Sequence, residues 1–271
     1  MARTLLFWFG IVLLVGACLF PILWMLNLSL KPNELAQAVP PVFFFFEPTF
    51  EHYPTAWRSA NLGPLLLNSV IVAVGSTILV LLVSVPAAYS FARYETSRGH
   101  LLFMILSTRM MPAAAIVVPY YLIFRQFGLL NTHMGVILAH AFFNFSFCTF
   151  VLYGFFKEID PNIEYSAMID GYSRPEIFRR IIFPLLKPPI AVVTSFSLMF
   201  SWNEFLFAFV LTRTDASRTV TAGIEQFWTM TGIQWGPMSA AALIAIAPML
   251  VFSIYLQKYI VRGLTFGAVK R

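Results

Sequence analysis

Six stretches of this sequence are apolar for long enough to cross a bilayer, and little about the chain is left open once they are placed. They are Leu5–Leu30, Leu65–Ala92, Leu101–Phe124, Met134–Phe156, Pro188–Leu211 and Met238–Gln257. A helix needs about 20 such residues to span the hydrocarbon layer. Only 11% of the residues are charged and 59% are hydrophobic, where a soluble domain carries about 25% charged residues. The expected fold is therefore an all-α membrane protein of six transmembrane helices, with residues 1–271 forming a single domain. Val15-Gly16-Ala17-Cys18 has the look of a lipoprotein cleavage box. Apolar sequence continues past it to Leu30, so the first stretch is read as an uncleaved span.

Lys and Arg set the orientation, because cytoplasmic loops retain them. With the N-terminus inside, the inner set is Arg3, Arg93, Arg98, Lys157, Arg174, Arg179, Arg180, Lys187, Lys258, Arg262, Lys270 and Arg271. The outer set is Lys31, Arg58, Arg125, Arg213 and Arg218, with Arg109 left inside a span. Both termini are expected in the cytoplasm, and Lys31–Pro64 and Thr212–Pro237 outside. The net charge of +6 reflects this retention and not nucleic-acid binding. The aromatic run Phe43–Phe46 reads as an interfacial belt, with a patch packed on a partner as the alternative.

One polar island interrupts the pattern: Asp160–Pro184, DPNIEYSAMIDGYSRPEIFRRIIFP. Asp160 suits an N-cap and Pro161 the first helical position, where a missing N–H costs nothing. Gly171 suits the left-handed residue that closes a helix. Ser173 and Glu176 have the spacing of a capping box, and Pro184 limits the run. The segment reads as helix, glycine corner, helix, on the cytoplasmic side.

Polar residues within spans are costly in lipid and therefore informative. Thr194, Ser197, Ser201 and Glu204 are spaced 3, 4, 3 and share one helix face. His140, Asn144 and Cys148 form a weaker stripe, and Arg109 lies just before Pro112, with Pro119 beyond. One reading is a polar translocation path or gate, formed by Asn144, Ser197, Ser201, Asn203 and Glu204 beside proline-broken helices. The other is a packed bundle whose polar groups bond one another. For Arg109 the favoured reading is a side chain snorkelling to an interface.

No lysine follows a glycine, so there is no phosphate-binding loop, and no H-E-x-x-H, G-x-S-x-G or C-x-x-C motif is present. Neither a catalytic group nor a metal site is expected, and no cofactor is expected on this chain. An intramembrane enzyme would need a nucleophile beside a base. His140 and Cys148 are two turns apart, about 12 Å along a helix. A proton-driven pump would show several buried acids, and Glu204 is the only one well inside a span. Energy would then arrive from a partner through the inner surface, where Asp160–Pro184 is the largest structured element.

Those residues resemble the cytoplasmic coupling loop of ATP-binding-cassette importer permeases, E-A-A-x-x-x-G followed by I-x-L-P. Here it reads Tyr165-Ser166-Ala167-x-x-x-Gly171, then Ile181-x-Phe183-Pro184, with Asp170 also matching. Ser201-Trp202-Asn203-Glu204-Phe205-Leu206, Asn27-x-Ser29-x-Lys31-Pro32, Gly128-Leu129-Leu130-Asn131-Thr132 and the tail Val261–Lys270 are similar to motifs of the carbohydrate branch, nearest to the second permease of maltose-type importers. The motif's glutamate position is occupied by Tyr165, while Glu164 stands one residue earlier. That shift rotates a helical side chain by about 100°, so either residue could take the glutamate's role.

The resemblance implies a type I importer permease fold in a bacterial inner membrane. It implies a second homologous permease as heterodimer partner, two ATPase subunits that bind ATP and magnesium, and an extracytoplasmic solute-binding protein. Glu164, Tyr165, Ser166, Ala167, Asp170, Gly171, Ile181 and Pro184 would form the contact with an ATPase. The solute would be a sugar, oligosaccharide or polyol, with a glycerol-phosphate-type solute as the alternative.

Overall fold

The computed structural model describes residues 2–40, 42–43, 45–94, 99–230 and 232–266, without the side chains of residue 2 and of 256–266. Arg98, Phe44 and the end of the tail motif, Gly267–Lys270, lie outside the described residues, as do the side chains of Val261–Thr265. The described chain is almost wholly helical. In order the helices are α1 (Ala2–Leu30), α2 (Asn33–Ala36), α3 (His52–Ser59), α4 (Leu62–Arg93), α5 (His100–Thr108), α6 (Ala113–Gln126) and α7 (His133–Glu158). They continue with α8 (Pro161–Ile169), α9 (Arg174–Ile177), α10 (Phe183–Leu185), α11 (Lys187–Asn203), α12 (Leu206–Leu211), α13 (Val220–Gly223) and α14 (Trp235–Phe266). A two-strand antiparallel ribbon, β1 (Trp228–Thr229) and β2 (Gly232–Ile233), precedes α14.

Four helices are each long and apolar enough to span a membrane: Arg3–Leu30, Leu62–Arg93, His133–Glu158 and Trp235–Tyr255. They correspond to the expected first, second, fourth and sixth spans. The third span is not one helix. It breaks between α5 and α6, which meet at 91°, because Pro112 cannot donate to the α5 ladder and instead caps α6. Pro119 stays inside α6. The fifth span also differs: α11 ends at Asn203, Glu204 is extended, and the chain restarts as α12. At its other end α11 turns 71° from the helical run Arg174–Leu185.

Two compact units are distinguished. The first comprises Met1–Leu66 and Gly223–Pro248. Its α1 exposes nearly all of its apolar side chains, as suits a helix solvated by lipid. The sequence after α1 folds back on the motif Asn27-x-Ser29-x-Lys31. Asn27 Nδ2 donates to the Phe43 carbonyl at 2.9 Å and Ser29 Oγ pairs with Tyr53 Oη at 2.9 Å. Lys31 is buried; its Nζ donates to the Val42 carbonyl at 2.6 Å and sits over the rings of Trp24 and Phe46. A buried ammonium must find such acceptors, and burial lowers its pKa. Of the described aromatic run, Phe46 packs on the lysine and Phe43 on Trp24 of the same chain, while Phe45 is exposed.

The second unit comprises Leu67–Ala222 and Met249–Arg271. Its largest core gathers Val80, Val85, Ala88 and Ala92 of α4 with Cys148, Leu152 and Phe156 of α7. Ala167 of α8, Ile177 of α9, Ile182, Leu186 and Val193 of α11 complete it. The polar island therefore shares a core with the membrane helices. At the opposite end, Gly128 and Asn131 adopt positive φ, Thr132 caps α7 through Gly135 N–H, and Asn131 bonds Leu211 and Arg213. The Gly128–Thr132 motif is thereby explained as a backbone requirement.

Candidate functional site

The polar island folds as a helix pair around a glycine corner. Asp160 caps α8 by accepting from Asn162 N–H at 2.9 Å, with Pro161 at the first position. The helix closes in a Schellman motif: Tyr172 N–H donates to the Ala167 carbonyl and Gly171 N–H to that of Met168, both at 3.1 Å. Gly171 has φ +88, a conformation open to glycine at little cost and to other residues only with strain. Glu176 accepts from Ser173 N–H at 3.1 Å and from its hydroxyl at 2.7 Å. Those two bonds hold the Glu176 carboxyl below the usual carboxylate range. Past α9 the turn widens to a π-helix over Phe178–Ile182, where Phe183 N–H reaches back five residues to Phe178. Pro184 supplies no N–H and its ring crowds the carbonyl four residues earlier, so the widened turn falls just before it.

The two helices are fastened to the C-terminal end of α4. Arg93, the last residue of α4, donates through Nε to Glu164 of α8. Its other nitrogens donate to the carbonyls of Phe156 at 2.9 Å and Ile159 at 3.0 Å, at the C-terminus of α7. Tyr89, one turn back on α4, donates to the second Glu164 oxygen at 2.6 Å. The Arg93 and Glu164 side chains are only 9% and 8% exposed, so both charges depend on these partners. The cation also lies at the negative end of the α7 dipole. The Tyr89 ring packs on Phe156 and Phe178, and Arg174 at the start of α9 donates to Tyr94 Oη. Three elements, α7, α8 and α9, thus converge on Tyr89–Tyr94.

This geometry separates the expected coupling residues. Glu164 and Ala167, three apart, face the core and are buried. Tyr165, Ser166, Asp170 and Gly171 are exposed, Ile181 is half-buried and Pro184 is exposed. Between Tyr165 and Glu164, Tyr165 faces outward, and Glu164 is turned into the bundle because Arg93 and Tyr89 hold it there. The outer face of the pair carries Ile163, Tyr165, Met168, Ile169 and Tyr172, with Ile169 87% exposed.

The polar stripes meet in a seam between α4, α7 and α11. Ser76 Oγ donates to Ser201 Oγ at 2.9 Å and Thr77 Oγ1 to Ser197 Oγ at 3.0 Å. His140 Nδ1 lies 2.8 Å from Ser201 Oγ and its Nε2 3.0 Å from Glu204. An ionised carboxylate only accepts, so Nε2 donates to Glu204 and Nδ1 accepts from Ser201. Asn144 adds a longer contact to Ser197. Glu204 also accepts from the N–H groups of Phe207 and Ala208 in the first turn of α12, and Thr221 Oγ1 donates to its carbonyl. Ser197, Ser201 and Asn144 are buried here, joining helices, while Glu204 caps one. Asn203 is exposed and bonds only within its own helix. The Arg109 guanidinium lies over the rings of Phe147 and Phe200.

Sequence reasoning missed Tyr89, Arg93 as a binding residue, Ser76 and Thr77. The four-residue spacing of Tyr89 and Arg93, one face at the end of a span, was the available signal.

Broken apolar helices joined by a polar seam suit a membrane transport subunit. The family model for binding-protein-dependent transport system inner membrane components matches residues 80–266. The chain is 32% identical over 263 residues to the diacetylchitobiose uptake system permease protein DasC of Streptomyces coelicolor, covering 96% of this chain and 95% of that protein. It is 32% identical over 276 residues to the trehalose transport system permease protein SugB of Mycobacterium tuberculosis, covering 99% of each. A bacterial ABC transporter involved in the import of the acidic polysaccharide alginate has the same fold, with TM-score 0.77 at 20% identity over 95% of this chain and 96% of that one. This chain belongs to the binding-protein-dependent transport system inner membrane component family. It is a multi-pass permease subunit with the type I importer fold and is not itself catalytic.

Removing one partner of a buried ion pair costs about 3–5 kcal/mol. Glu164→Ala is therefore expected to lower the thermal stability of the purified complex by about that much and to reduce uptake per ATP hydrolysed. Partial recovery is expected in Glu164→Asp. Ser201→Ala deletes the acceptor of Ser76 and the partner of His140 and is expected to cost about 1–3 kcal/mol. The loss is read from melting curves of the purified complex.

Proposed function

We propose that this chain is one of two homologous permeases, paired as a heterodimer, in an ATP-driven importer of a carbohydrate. Its single permease domain crosses the membrane six times with both termini in the cytoplasm. Two ATPase subunits bind ATP and magnesium on the inner side, and a solute-binding protein delivers the solute from outside. The observation that carries this reading is the α8–α9 pair. Its outer face is apolar and exposed, which marks an interaction surface, while its inner face is bonded to the ends of α4 and α7. Tyr165, Ser166, Asp170 and Gly171 meet the ATPase directly. Glu164, Ala167, Ile181 and Pro184 hold the pair in position. Closure of the ATPases moves α8, and the buried pair passes that movement to the membrane helices.

A carbohydrate is favoured as solute because the relatives include permeases for diacetylchitobiose and for trehalose. The seam of Asn144, Ser197, Ser201 and Glu204 then serves as a stiff wall of the path or a gate beside it, with Asn203 on its open side. The reading is tested by isolating the tagged chain from its own membranes in mild detergent. A second permease and an ATPase should copurify, and the purified complex should hydrolyse ATP faster when its binding protein carries solute. A chain isolated alone, or an ATPase rate indifferent to the loaded binding protein, would contradict the proposal. Calorimetry on that binding protein then identifies the solute.

A further inference from the structure

Arg109 stands where an uncompensated charge is least expected. It closes α5 at the break before α6, nine helical residues beyond Gly99. It is exposed. One nitrogen donates to the Phe143 carbonyl at 3.0 Å. The guanidinium carbon lies 4.6 Å from the Phe200 ring centre and 5.4 Å from that of Phe147. Among the described residues no carboxylate is within ion-pair distance of it. Phe147 and Phe200 pack together at 5.6 Å, with Phe196 beside both. Asn203 follows Phe200 by one turn and is exposed.

Within an apolar span lipid does not solvate a guanidinium cheaply, so such a group faces water, a cavity or a ligand. Breaks in transmembrane helices are where transporters place their solute sites. The two ring faces and the one carbonyl bond hold the guanidinium while leaving most of its five N–H donors unspent. Flat rings beside planar donors suit a sugar: the rings take its C–H face, and the forked donors take oxygens, best a carboxylate bound through two parallel bonds. The geometry points to Arg109, Phe147 and Phe200 as a solute subsite in the translocation path, with Asn203 at its edge, for a glycosyl ring and preferentially for one bearing an acidic group. This rests on the importer reading above and extends it to the class of sugar.

The test uses the assembled complex with Cys18 and Cys148 replaced by alanine and Asn203→Cys as reporter. The probes are two membrane-impermeant thiosulfonates, 2-sulfonatoethyl and 2-trimethylammonioethyl methanethiosulfonate, with rates normalised to free cysteine. Both should label the reporter in at least one of the nucleotide-free and vanadate-trapped states. The anionic reagent should be favoured by about tenfold, the size expected for a unit charge at this range in a partly dry site. Arg109→Gln should remove the preference while labelling persists, and Arg109→Lys should keep it. Absence of labelling in both states, or a preference unchanged in Arg109→Gln, would overturn the assignment. If Arg109→Gln does not assemble, the preference in the Arg109 complex decides alone, and its absence counts against the subsite. An ATPase rate of the unsubstituted complex that is indifferent to loaded binding protein would instead count against the importer reading.

Discussion

The buried ion pair between Arg93 and Glu164 is the interaction on which the α8–α9 end of this permease depends. Without it α8 would rest on the bundle through Ala167 and a few apolar neighbours alone. With it, one guanidinium is shared between a carboxylate on α8 and two carbonyls at the end of α7. Tyr89 completes the carboxylate's bonding. Charges taken out of water are tolerated only when every partner is in place. The pair therefore penalises any sliding of α8 against α4 or α7. That makes a short helix outside the membrane mechanically part of the helices within it.

The same economy of polar groups organises the membrane region. Ser76, Ser201, His140 and Glu204 form a directed chain of hydrogen bonds across three helices and end on the first turn of α12. This seam lets α11 stop at Asn203 and restart at Leu206, because the amides exposed by the break are met by Glu204. The break at Arg109 is handled differently, with aromatic faces and one carbonyl in place of a carboxylate. One interruption has its carboxylate fully hydrogen-bonded within the bundle, and the other presents a cationic fork with one nitrogen bonded to a carbonyl. That contrast separates a structural break from a binding one.

Much of this was legible in the sequence, for physical reasons that can be named. Four spans follow from length and apolarity alone. The glycine corner, the Asp160 cap and the Ser173–Glu176 pairing follow from residues whose local chemistry permits few alternatives. The 3, 4, 3 spacing placed Ser197, Ser201 and Glu204 on one face, yet could not say whether that face met water or other helices. The answer lay in Ser76 and Thr77, distant in sequence and ordinary in composition. Arg93 was counted only as a loop charge, since nothing local reveals that Glu164 and two backbone carbonyls converge on it. Pro112 marked a break but not its 91° angle. Glu164 and Tyr165 were separable only once the orientation of α8 was known.

If the ion pair makes α8 and the C-terminal ends of α4 and α7 one body, distances within that body are constant through the ATP cycle. Spin labels at Asn162→Cys on α8 and Leu82→Cys on α4, in an assembled complex with Cys18 and Cys148 replaced by alanine, measure this by pulsed electron resonance. The mean distance should not shift between the nucleotide-free and vanadate-trapped states by more than the width of the distribution, and Arg93→Gln should broaden it. A clear shift in the complex that retains Arg93 would show that α8 moves independently of α4, and would contradict the account.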